Sequence, residues 1–358
     1  MSGRLYLDHA ATTPMLGAAR AAMNDAIERW ANPSSPHAEG RAARAALEDA
    51  RARVAAALGW TGELIFTSGA TEAIRMGLTR AKADAVLVGG TEHDAVHRAA
   101  PKAFFLPVQG DGTVADHALT GRLGALGAER PLVAIQSANN ESGVLQPLDS
   151  LIPIVRGKGG LIFADCAQSA GKLPLPDADL ISISAHKLGG PPGIGALLVR
   201  DLGDLAPEGG QEKGYRGGTE NVPGAIAFAA ALEASRAWLK RAEDLRAHLD
   251  GAIEAAGGQV VARRSARIPT IASYRMPGMA ASAQLIQFDM AGIAVSAGSA
   301  CSSGTLKPSH VLAAMGWDER DVAEVIRVSF GSDTTRSDVY RFVDQWKRLA
   351  GEAKARAA

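Results

Sequence analysis

The sequence has few of the features that define several specialised protein classes. Its 358 residues include two cysteines, Cys166 and Cys301. That number is too small for a disulfide-rich secreted scaffold, a four-cysteine metal site or a four-cysteine iron–sulfur cluster. Lys+Arg and Asp+Glu both number 38, so the formal net charge is zero. No basic excess indicates a nucleic-acid partner, and no acidic tail indicates disorder.

Long apolar runs and an N-terminal targeting segment are also missing. No window of about 18 residues is uninterruptedly apolar, so no transmembrane helix is predicted. Residues 1–8 lack the apolar core of a signal peptide. The composition, 47% hydrophobic and 21% charged, is typical of a globular protein with an ample core. We expect a cytoplasmic protein with no nucleic-acid, membrane or metal partner.

Short apolar runs alternate with helical patterns along most of the chain, which predicts an α/β fold with a mainly parallel sheet. Residues 38–58, for example, carry apolar side chains at three- and four-residue spacing and predict a helix. We expect a large domain at 15–240 and a smaller α+β domain formed by 1–14 and 241–358. The predicted strands of the large domain span 64–67, 85–88, 132–136, 161–165, 180–184 and 195–199.

The C-terminal part has a different pattern. Residues 223–256 are rich in alanine and predict one long helix. The elements expected after it are a strand at 270–274, a helix at 282–290, a strand at 293–296 and a terminal helix from residue 336.

The most informative pair of residues is Asp165 and Lys187. The acid closes the apolar run 161–165, and the lysine follows the run 180–184. In open α/β sheets, ligands bind at the C-terminal ends of the strands. A lysine there can form a Schiff base with an aldehyde cofactor, and a carboxylate can keep a pyridine nitrogen protonated, as pyridoxal phosphate (PLP) requires. Taken singly, Lys187 would more often be a solvated loop residue and Asp165 a helix N-cap.

Two segments contain groups suited to a phosphate. Ser184 and His186 lie beside the lysine with a hydroxyl and an imidazole, and a glycine-rich stretch follows them. Residues 66–73 end a strand in a turn of small residues and begin a helix, whose N-terminal N–H groups can bind an anion. The alternatives are a tight turn and ordinary helix capping by Ser68 or Thr71.

Polar residues also follow other predicted strands. His93, after the 85–88 run, could stack on a cofactor ring and shuttle protons near neutral pH, although a lone histidine is more often structural. Asn140, after the 132–136 run, could equally belong to a polar turn. Gln168 could bond a ring hydroxyl. Because parallel strands end at one edge of a sheet, the coincidence of these residues is more informative than any one of them.

Further candidates lie later in the chain. Cys301 is embedded in Gly, Ser and Ala at 295–304, which suits an exposed loop that carries a thiolate nucleophile, although a free cysteine is more often a small buried hydrophobe. Cys166 is expected to pack rather than react. Arg327 could hold a substrate carboxylate or form a surface ion pair. Arg216, in a glycine-rich loop, could approach a ligand or a second subunit.

In this order, the motifs resemble those of cysteine desulfurases of the NifS/IscS type. That family belongs to the fold-type I PLP enzymes, within the class V aminotransferase group. The resemblance covers nearly the whole chain and implies a seven-stranded, mainly parallel sheet and a homodimer with both active sites near the interface. The matching segments are 6–14, 32–37 with Gly40 and Arg41, 67–72, 91–96, 139–141, 165–168, 184–187, 216–221, 296–304 and Arg327.

The resemblance also implies a role for each candidate residue. Lys187 would carry PLP as a Schiff base, Asp165 would pair with the ring nitrogen, and His93 would stack on the ring as acid and base. Cys301 would take the sulfur. The remaining implied contacts are Ala70, Thr71, Ser184 and His186 at the phosphate, Thr219 at the phosphate from the neighbouring subunit, Asn140 and Gln168 at the ring oxygen, and Asn140 and Arg327 at the substrate.

The implied reaction removes sulfur from L-cysteine, releases L-alanine and leaves a persulfide on Cys301. An acceptor protein such as an iron–sulfur scaffold would then take the sulfur for cluster assembly or another thiolation. The alternatives are a selenocysteine lyase, another class V PLP aminotransferase or lyase, and a non-catalytic PLP-binding or sulfur-carrier protein. Cys301 argues against a transaminase, which needs no thiol there. The intact set of Lys187, His93 and Cys301 argues against a non-catalytic protein.

Overall fold

The computed structural model describes residues 3–29, 31–298 and 308–357. Helices and strands alternate along most of the chain. The strands are β1 (Leu5–Tyr6), β2 (Glu63–Thr67), β3 (Ala85–Gly89), β4 (Phe104–Leu106), β5 (Pro131–Ala134), β6 (Leu161–Asp165), β7 (Leu180–Ser184), β8 (Gly195–Val199), β9 (Gln259–Val260), β10 (Ile271–Arg275), β11 (Ile293–Ala294), β12 (Ser296–Ala297) and β13 (Val325–Ser329). The α-helices are α1 (Gly17–Glu28), α2 (Ala38–Leu58), α3 (Ala70–Arg80), α4 (Asp94–Ala99), α5 (Asp116–Leu126), α6 (Leu148–Arg156), α7 (Val222–Leu232), α8 (Trp238–Ala255), α9 (Ala281–Met290), α10 (His310–Ala314), α11 (Glu319–Val322) and α12 (Arg336–Ala357).

The central sheet has seven strands in the order β2-β8-β7-β6-β5-β3-β4. β8 is antiparallel to both of its neighbours, β2 and β7, and the other pairs are parallel. The predicted α/β fold with a mainly parallel seven-stranded sheet is therefore confirmed. Every residue of β6 and β7 is buried. Strands covered on both faces need apolar side chains on both, which is why these segments are nearly continuous apolar runs.

The predicted helix at 38–58 coincides with α2, and local sequence explains both of its ends. His37 is the N-cap, where its Nδ1 accepts a hydrogen bond from the Gly40 N–H at 3.2 Å. Gly59 ends the helix with φ 65°, a left-handed conformation that glycine adopts at little cost.

The prediction of one long helix over 223–256 is wrong, because the chain breaks between α7 and α8. Arg236 lies in the break, and its Nη2 donates to the carbonyl oxygens of Ala231 and Leu232, each at 3.1 Å. These bonds satisfy carbonyl groups in the last turn of α7, which have no partner within the helix. α7 packs on α1 and α2, whereas α8 packs on α12, so the break lets the chain pass from one core to another.

A second hydrophobic core lies around a smaller sheet of order β12-β13-β10-β9. Helices α8 and α12 supply much of it, with Trp346 and Phe342 fully buried. Leu5 and Leu7 join this core, and β1 pairs in parallel with β11. The domain bounds of 15–240, and of 1–14 with 241–358, stay a prediction.

After β1 the N-terminal segment runs to the C-terminal edge of the central sheet. The Ala10 N–H donates to Ser329 Oγ at 2.8 Å, and the Thr13 N–H donates to the His186 carbonyl oxygen at 2.8 Å. These bonds fix residues 10–13 between β13 and the turn that follows β7, which places backbone carbonyl groups beside Lys187.

Candidate active site

A cavity of about 490 Å³ lies at the C-terminal ends of parallel strands in the central sheet. Its volume is within the range of roughly 300–1,000 Å³ that is usual for small-molecule and cofactor sites. Residues that follow β2, β3, β5, β6 and β7 line it, as expected for an open α/β sheet. The predicted site residues in its lining are Ala70, Thr71, His93, Asn140, Asp165, Gln168, Ser184, His186 and Lys187.

Lys187 lies in the short 3₁₀ helix Ala185–Lys187, directly after β7. Its Nζ donates to the carbonyl oxygens of Ala10 at 2.6 Å and Ala11 at 2.9 Å. Thr13 holds the backbone of the same turn, because its Oγ1 donates to the Lys187 carbonyl oxygen at 3.2 Å. The N-terminal segment thus positions the amine at the cavity, a set of contacts that was not predicted from the sequence.

Asp165 is the last residue of β6 and is 7% exposed. Its Oδ1 accepts hydrogen bonds from Ser182 Oγ at 2.9 Å and from the Ala167 N–H at 3.0 Å. Ser182 is paired with Asp165 in register across β6 and β7, so the two side chains share one face of the sheet. Oδ2 has no hydrogen-bond partner within the described residues, which leaves it for a ligand.

Gln168 is held by its amide nitrogen, with Nε2 donating to the Ala10 carbonyl oxygen at 3.0 Å. Its Oε1 is buried and has no hydrogen-bond partner among the residues that the structure describes. An unpaired buried acceptor indicates a ligand that brings a donor. In this orientation, Oε1 of Gln168 can accept a hydrogen bond from a ring hydroxyl.

His93 is the N-cap of α4, and its Nδ1 accepts a hydrogen bond from the Ala95 N–H at 3.1 Å. Burial lowers the pKa of the His93 imidazole below its usual value, which favours the neutral ring. Because Nδ1 is an acceptor, the neutral ring carries its proton on Nε2. His93 therefore offers the cavity an N–H donor, and Nε2 can accept a proton only if Nδ1 gives up its bond to Ala95.

Helix α3 begins at the cavity with Gly69 as its N-cap, at φ 152°. The N–H groups of Ala70 and Thr71 are in the first turn, where no intrahelical carbonyl accepts them. A Cβ at Gly195 would lie 2.7 Å from the Gly69 Cα, so glycine is needed at 195 for β8 to approach this turn. With Ser184 in the same lining, the N-terminus of α3 forms an anion-binding wall.

His186 adds a hydrogen-bonding group to this wall but not a charge. Burial lowers its pKa to about 4, and the neighbouring Lys187 contributes to the decrease, so the imidazole is neutral at pH 7. Its Nδ1 lies 3.2 Å from Thr12 Oγ1. The positive potential for a phosphate therefore comes from the dipole of α3 rather than from His186.

Arg327 and Thr219 are predicted site residues that lie outside the lining of this cavity. Arg327 is 1% exposed, and it donates from Nη2 to Asp8 Oδ1 at 2.9 Å and from Nη1 to the Asn140 carbonyl oxygen at 3.0 Å. Thr219 is exposed. Cys301 lies outside the described residues, so its role stays a prediction.

Two buried acids beside the cavity, Glu92 and Glu141, were not predicted as part of the site. Oε1 of Glu92 accepts from the backbone N–H of Gln136, a cavity-lining residue, at 2.8 Å. Burial raises the pKa of both acids. Each directly precedes or follows a predicted site residue, His93 or Asn140, in a segment after a buried strand. That position is the feature by which the sequence could have indicated them.

Cys166 is fully buried, and burial raises the pKa of its thiol to about 12. It therefore packs rather than reacts, as expected. Across residues 3–29, 31–298 and 308–357, no group of three or more His, Cys, Asp or Glu side chains is arranged to hold a metal ion. No described helix has the length and apolar character needed to cross a membrane.

Comparison with known proteins finds similarity over nearly the whole chain. A family model described as aminotransferase class-V matches residues 5–342. A cysteine desulfurase IscS from Dictyoglomus turgidum is 34% identical over an alignment of 377 positions. The alignment covers 98% of this chain and 95% of that protein. A solved NifS-like protein from Rickettsia africae has a TM-score of 0.90 and 29% identity, with 98% of this chain and 100% of that chain covered. SspA, solved in complex with cysteine, has a TM-score of 0.78 and 26% identity, covering 92% of this chain and 100% of its own.

Proposed function

This chain belongs to the class V aminotransferase family and, within it, to the cysteine desulfurases, and we propose that it uses PLP to move the sulfur of L-cysteine onto Cys301. The observation that carries the proposal is that Lys187 and Asp165 line one cavity together with the N-terminus of α3. An amine, a carboxylate and an anion-binding wall match the aldehyde, the pyridine nitrogen and the phosphate of PLP.

The polar atoms of the cavity support this cofactor. Asp165 has one oxygen fixed by Ser182 and Ala167, which orients the carboxylate so that Oδ2 can accept from a pyridinium N–H. The unpaired Oε1 of Gln168 can accept from the ring hydroxyl. Lys187 would attach the cofactor through Nζ, which requires it to exchange its bonds to the carbonyl groups of Ala10 and Ala11.

When bound, PLP supplies an electron sink for negative charge at the amino-acid Cα. Asp165 maintains that sink by keeping the ring nitrogen protonated. His93 lies in the cavity wall as a neutral ring with its proton on Nε2. There the Nε2–H group can hold a substrate atom by hydrogen bonding. For Nε2 to accept a proton, Nδ1 must release its hydrogen bond from the Ala95 N–H.

We assign Arg327 to the substrate carboxylate. Its guanidinium is buried and already oriented by Asp8 and by the Asn140 carbonyl oxygen, while its Nε has no partner among the described residues. Asp8 is partly exposed, so its contact can be shared or released when a second carboxylate arrives. An arginine pre-oriented in this way loses little side-chain entropy on binding.

The sulfur-transfer step uses the thiolate of Cys301 as nucleophile. It forms a bond to the substrate Sγ as the Cβ–Sγ bond breaks, the electron pair stays with Cβ, and a proton completes the methyl group of alanine. Overall, two thiols give one persulfide and one new C–H bond, so no external oxidant is needed. Because the nucleophile must be a reduced thiol, we place the reaction in the cytoplasm.

We further propose a homodimer in which Thr219 of each chain reaches the phosphate of the other. Its exposure on this chain supports that role, and the adjacent Glu220 is buried, so the backbone at this point is anchored. The persulfide then passes to an acceptor protein such as an iron–sulfur scaffold.

The decisive experiment is incubation of the PLP-loaded protein with L-cysteine, measuring alanine and the mass of the Cys301 peptide. We expect stoichiometric alanine and a gain of one sulfur atom on that peptide. Cys301→Ser should keep the visible absorbance of the cofactor and lose both products. Full desulfuration by Cys301→Ser contradicts the proposed acceptor of the sulfur.

Cys166→Ser is the matched control, because it removes the other thiol of the chain. Since Cys166 is fully buried and its pKa is raised to about 12, we expect this variant to desulfurate cysteine at the rate of the parent. If Cys166→Ser formed no persulfide while the cofactor was still bound, the assignment of the sulfur to Cys301 would be wrong.

A further inference from the structure

The two ends of the segment that carries Cys301 meet at a single carboxyl group, that of Glu141. Oε2 of Glu141 accepts a hydrogen bond from Ser309 Oγ at 2.5 Å. On the other side, a Cβ added to Gly298 would lie 2.1 Å from the same oxygen. Gly298 and Ser309 flank residues 299–307. One buried side chain therefore contacts the backbone that enters this segment and the side chain just after it.

The contact with Ser309 is part of a defined local structure. Ser309 is the N-cap of α10, and its Oγ also accepts from the Leu312 N–H at 3.1 Å. The hydroxyl thus donates to Glu141 and accepts from the helix at the same time. Both side chains are buried, with Glu141 3% and Ser309 5% exposed, so water does not compete for these bonds.

Glu141 is also fixed relative to the cofactor cavity. It follows Asn140, which lines the cavity, and its own N–H donates to Asn139 Oδ1 at 2.9 Å. The Glu141 carbonyl oxygen accepts from Ser273 Oγ at 2.9 Å in the small sheet. The side chain therefore projects from a backbone turn that is held on both sides.

A second contact connects the same end of the segment to the cavity. His310 Nε2 donates to the carbonyl oxygen of Glu92 at 2.8 Å, and Glu92 directly precedes the cavity-lining His93. The residues just after 299–307 thus dock on the segments that supply both Asn140 and His93 to the site.

We propose that Glu141 is a positioning residue that sets where the ends of the Cys301 segment lie relative to the cofactor cavity. The proposal rests on the proposed function, in which Cys301 accepts the sulfur. A nucleophile on a segment with misplaced ends attacks from the wrong position, and an error of about 1 Å can lower a rate by about 100-fold. Binding of PLP would be preserved, because Glu141 does not line the cavity. Binding of cysteine would be preserved, because Asp8 and the Asn140 carbonyl oxygen still orient Arg327.

The contact requires a hydrogen-bond acceptor of the correct shape rather than a charge. Burial raises the pKa of Glu141, opposed by the Ser309 hydrogen bond. Since Ser309 donates to Oε2, the amide oxygen of a glutamine could accept the same bond. Glu141→Gln should therefore restore most of what Glu141→Ala loses.

The test compares single-turnover persulfide formation with cysteine binding, read from the cysteine-induced change in the visible spectrum. In Glu141→Ala we expect persulfide formation on Cys301 to slow by about 10- to 100-fold, with the spectroscopic Kd for cysteine and the bound PLP unchanged. Ser309→Ala, which leaves Glu141 in place, should slow the same step. It provides the measurement if Glu141→Ala does not fold.

Gly298→Ala tests the other side of the contact. Its methyl group would displace the Glu141 carboxyl group, so we expect slower persulfide formation in this variant as well. In the Glu141→Ala background the methyl group has room, and the double variant should be no slower than Glu141→Ala alone. Additive losses would mean that Gly298 acts independently of Glu141, which contradicts the proposal.

Ser273→Ala is the matched control, because it removes a buried hydrogen bond to the Glu141 backbone but keeps the carboxyl contact with Ser309. Because the bond from the Glu141 N–H to Asn139 Oδ1 still holds this turn, we expect a smaller loss of rate from it than from Glu141→Ala. The inference fails if Glu141→Ala forms persulfide at the parent rate, or if it loses PLP or cysteine binding in parallel with the rate. Cys301→Ser, measured alongside, separates the two proposals: if that variant is fully active the proposed function fails, whereas if it is inactive and Glu141→Ala is unimpaired only the role of Glu141 fails.

Discussion

Lys187 and Gln168 donate hydrogen bonds to the same acceptor, the carbonyl oxygen of Ala10, at 2.6 Å and 3.0 Å. That carbonyl belongs to the N-terminal segment, which is fixed by the bond from the Ala10 N–H to Ser329 Oγ. When Lys187 is attached to PLP, its Nζ has fewer protons to donate, whereas the bond from Gln168 can persist. The shared acceptor thus keeps Gln168 in place, with Oε1 toward a ligand, in both states of the lysine.

Attachment of the cofactor to Lys187 can be tested by borohydride reduction, which makes the link permanent. We expect the reduced parent to carry PLP on the peptide that contains Lys187. Lys187→Ala should bind PLP without a reducible link, because the phosphate and ring contacts remain while the amine is gone. Mass spectrometry of the digested protein checks both outcomes.

Lys172 provides the control for this experiment. It lines a small cavity that Lys187 also lines, so its amine also lies close to the site. Lys172→Met should leave the labelled peptide unchanged. Labelling of Lys172 in the parent protein would show that the cofactor-bearing lysine has been misassigned.

Asp165→Asn removes the negative charge but leaves an oxygen that can accept from Ser182 and Ala167. A hydrogen bond to a charged group contributes about 1.5–3 kcal/mol, so we expect PLP to bind roughly 10- to 150-fold more weakly. Equilibrium dialysis against PLP measures the change. Ser182→Ala, which keeps the charge of Asp165, should weaken PLP binding less. An unchanged Kd for PLP in Asp165→Asn would show that the Asp165 carboxylate does not pair with the ring nitrogen.

Six strands of the central sheet could be predicted closely because they are largely buried and therefore mostly apolar. β4 was not predicted: it has three residues, of which Phe104 and Phe105 are exposed. β6, β7 and β8 have the predicted bounds, and β8 alone runs antiparallel among the described strands of that sheet. Its direction depends on the tight connection after Lys187, which composition does not reveal. The false helix over 223–256 has a similar cause: alanine favours helix throughout, and the break depends on Arg236 and on packing against two different cores.

The candidate site was predictable where it depends on strand ends. Parallel strands bring their C-terminal residues together whatever the loop lengths, so Asp165, His93 and Lys187 could be grouped from sequence alone. The contacts that Ala10 makes with Lys187, and that Ser182 makes with Asp165, could not be predicted from the sequence. The first depends on a segment more than a hundred residues away in the chain, and the second on the register between β6 and β7. Both are long-range pairings that local sequence does not encode.

His93 can be tested by comparing His93→Gln with the parent. A glutamine amide can donate a hydrogen bond but cannot transfer protons, so we expect kcat to fall by about 10²- to 10⁴-fold, the usual contribution of acid–base catalysis. The cofactor should remain bound, since the lysine, the carboxylate and the N-terminus of α3 are intact. Steady-state rates and the visible spectrum of the same preparation measure the two effects. A kcat near that of the parent would show that His93 contributes a hydrogen bond but does not transfer a proton in the rate-limiting step.

Lys172 has an environment that disfavours its charge. Its Nζ donates to the Gln168 carbonyl oxygen at 3.0 Å, and burial, with the charges of Lys187 and Arg236, lowers its pKa from 10.5 to about 7. Between these two values the unfolded chain binds more protons at this residue than the folded chain. Lys172 therefore makes the free energy of unfolding rise as pH increases from about 7 to about 10.

Lys172→Met removes this titration, because methionine has no proton to bind. At pH 6 the parent protein pays the full cost of a charged, partly buried ammonium group and the variant does not. We therefore expect the stability of Lys172→Met relative to the parent to be greatest near pH 6, and to decrease steadily as pH rises to 10. The lost hydrogen bond to Gln168 shifts this difference by a constant at every pH. Urea unfolding of both proteins, with PLP removed and at constant ionic strength, measures it. A stability difference that is flat from pH 6 to pH 10 would show that Lys172 keeps its charge in the folded protein.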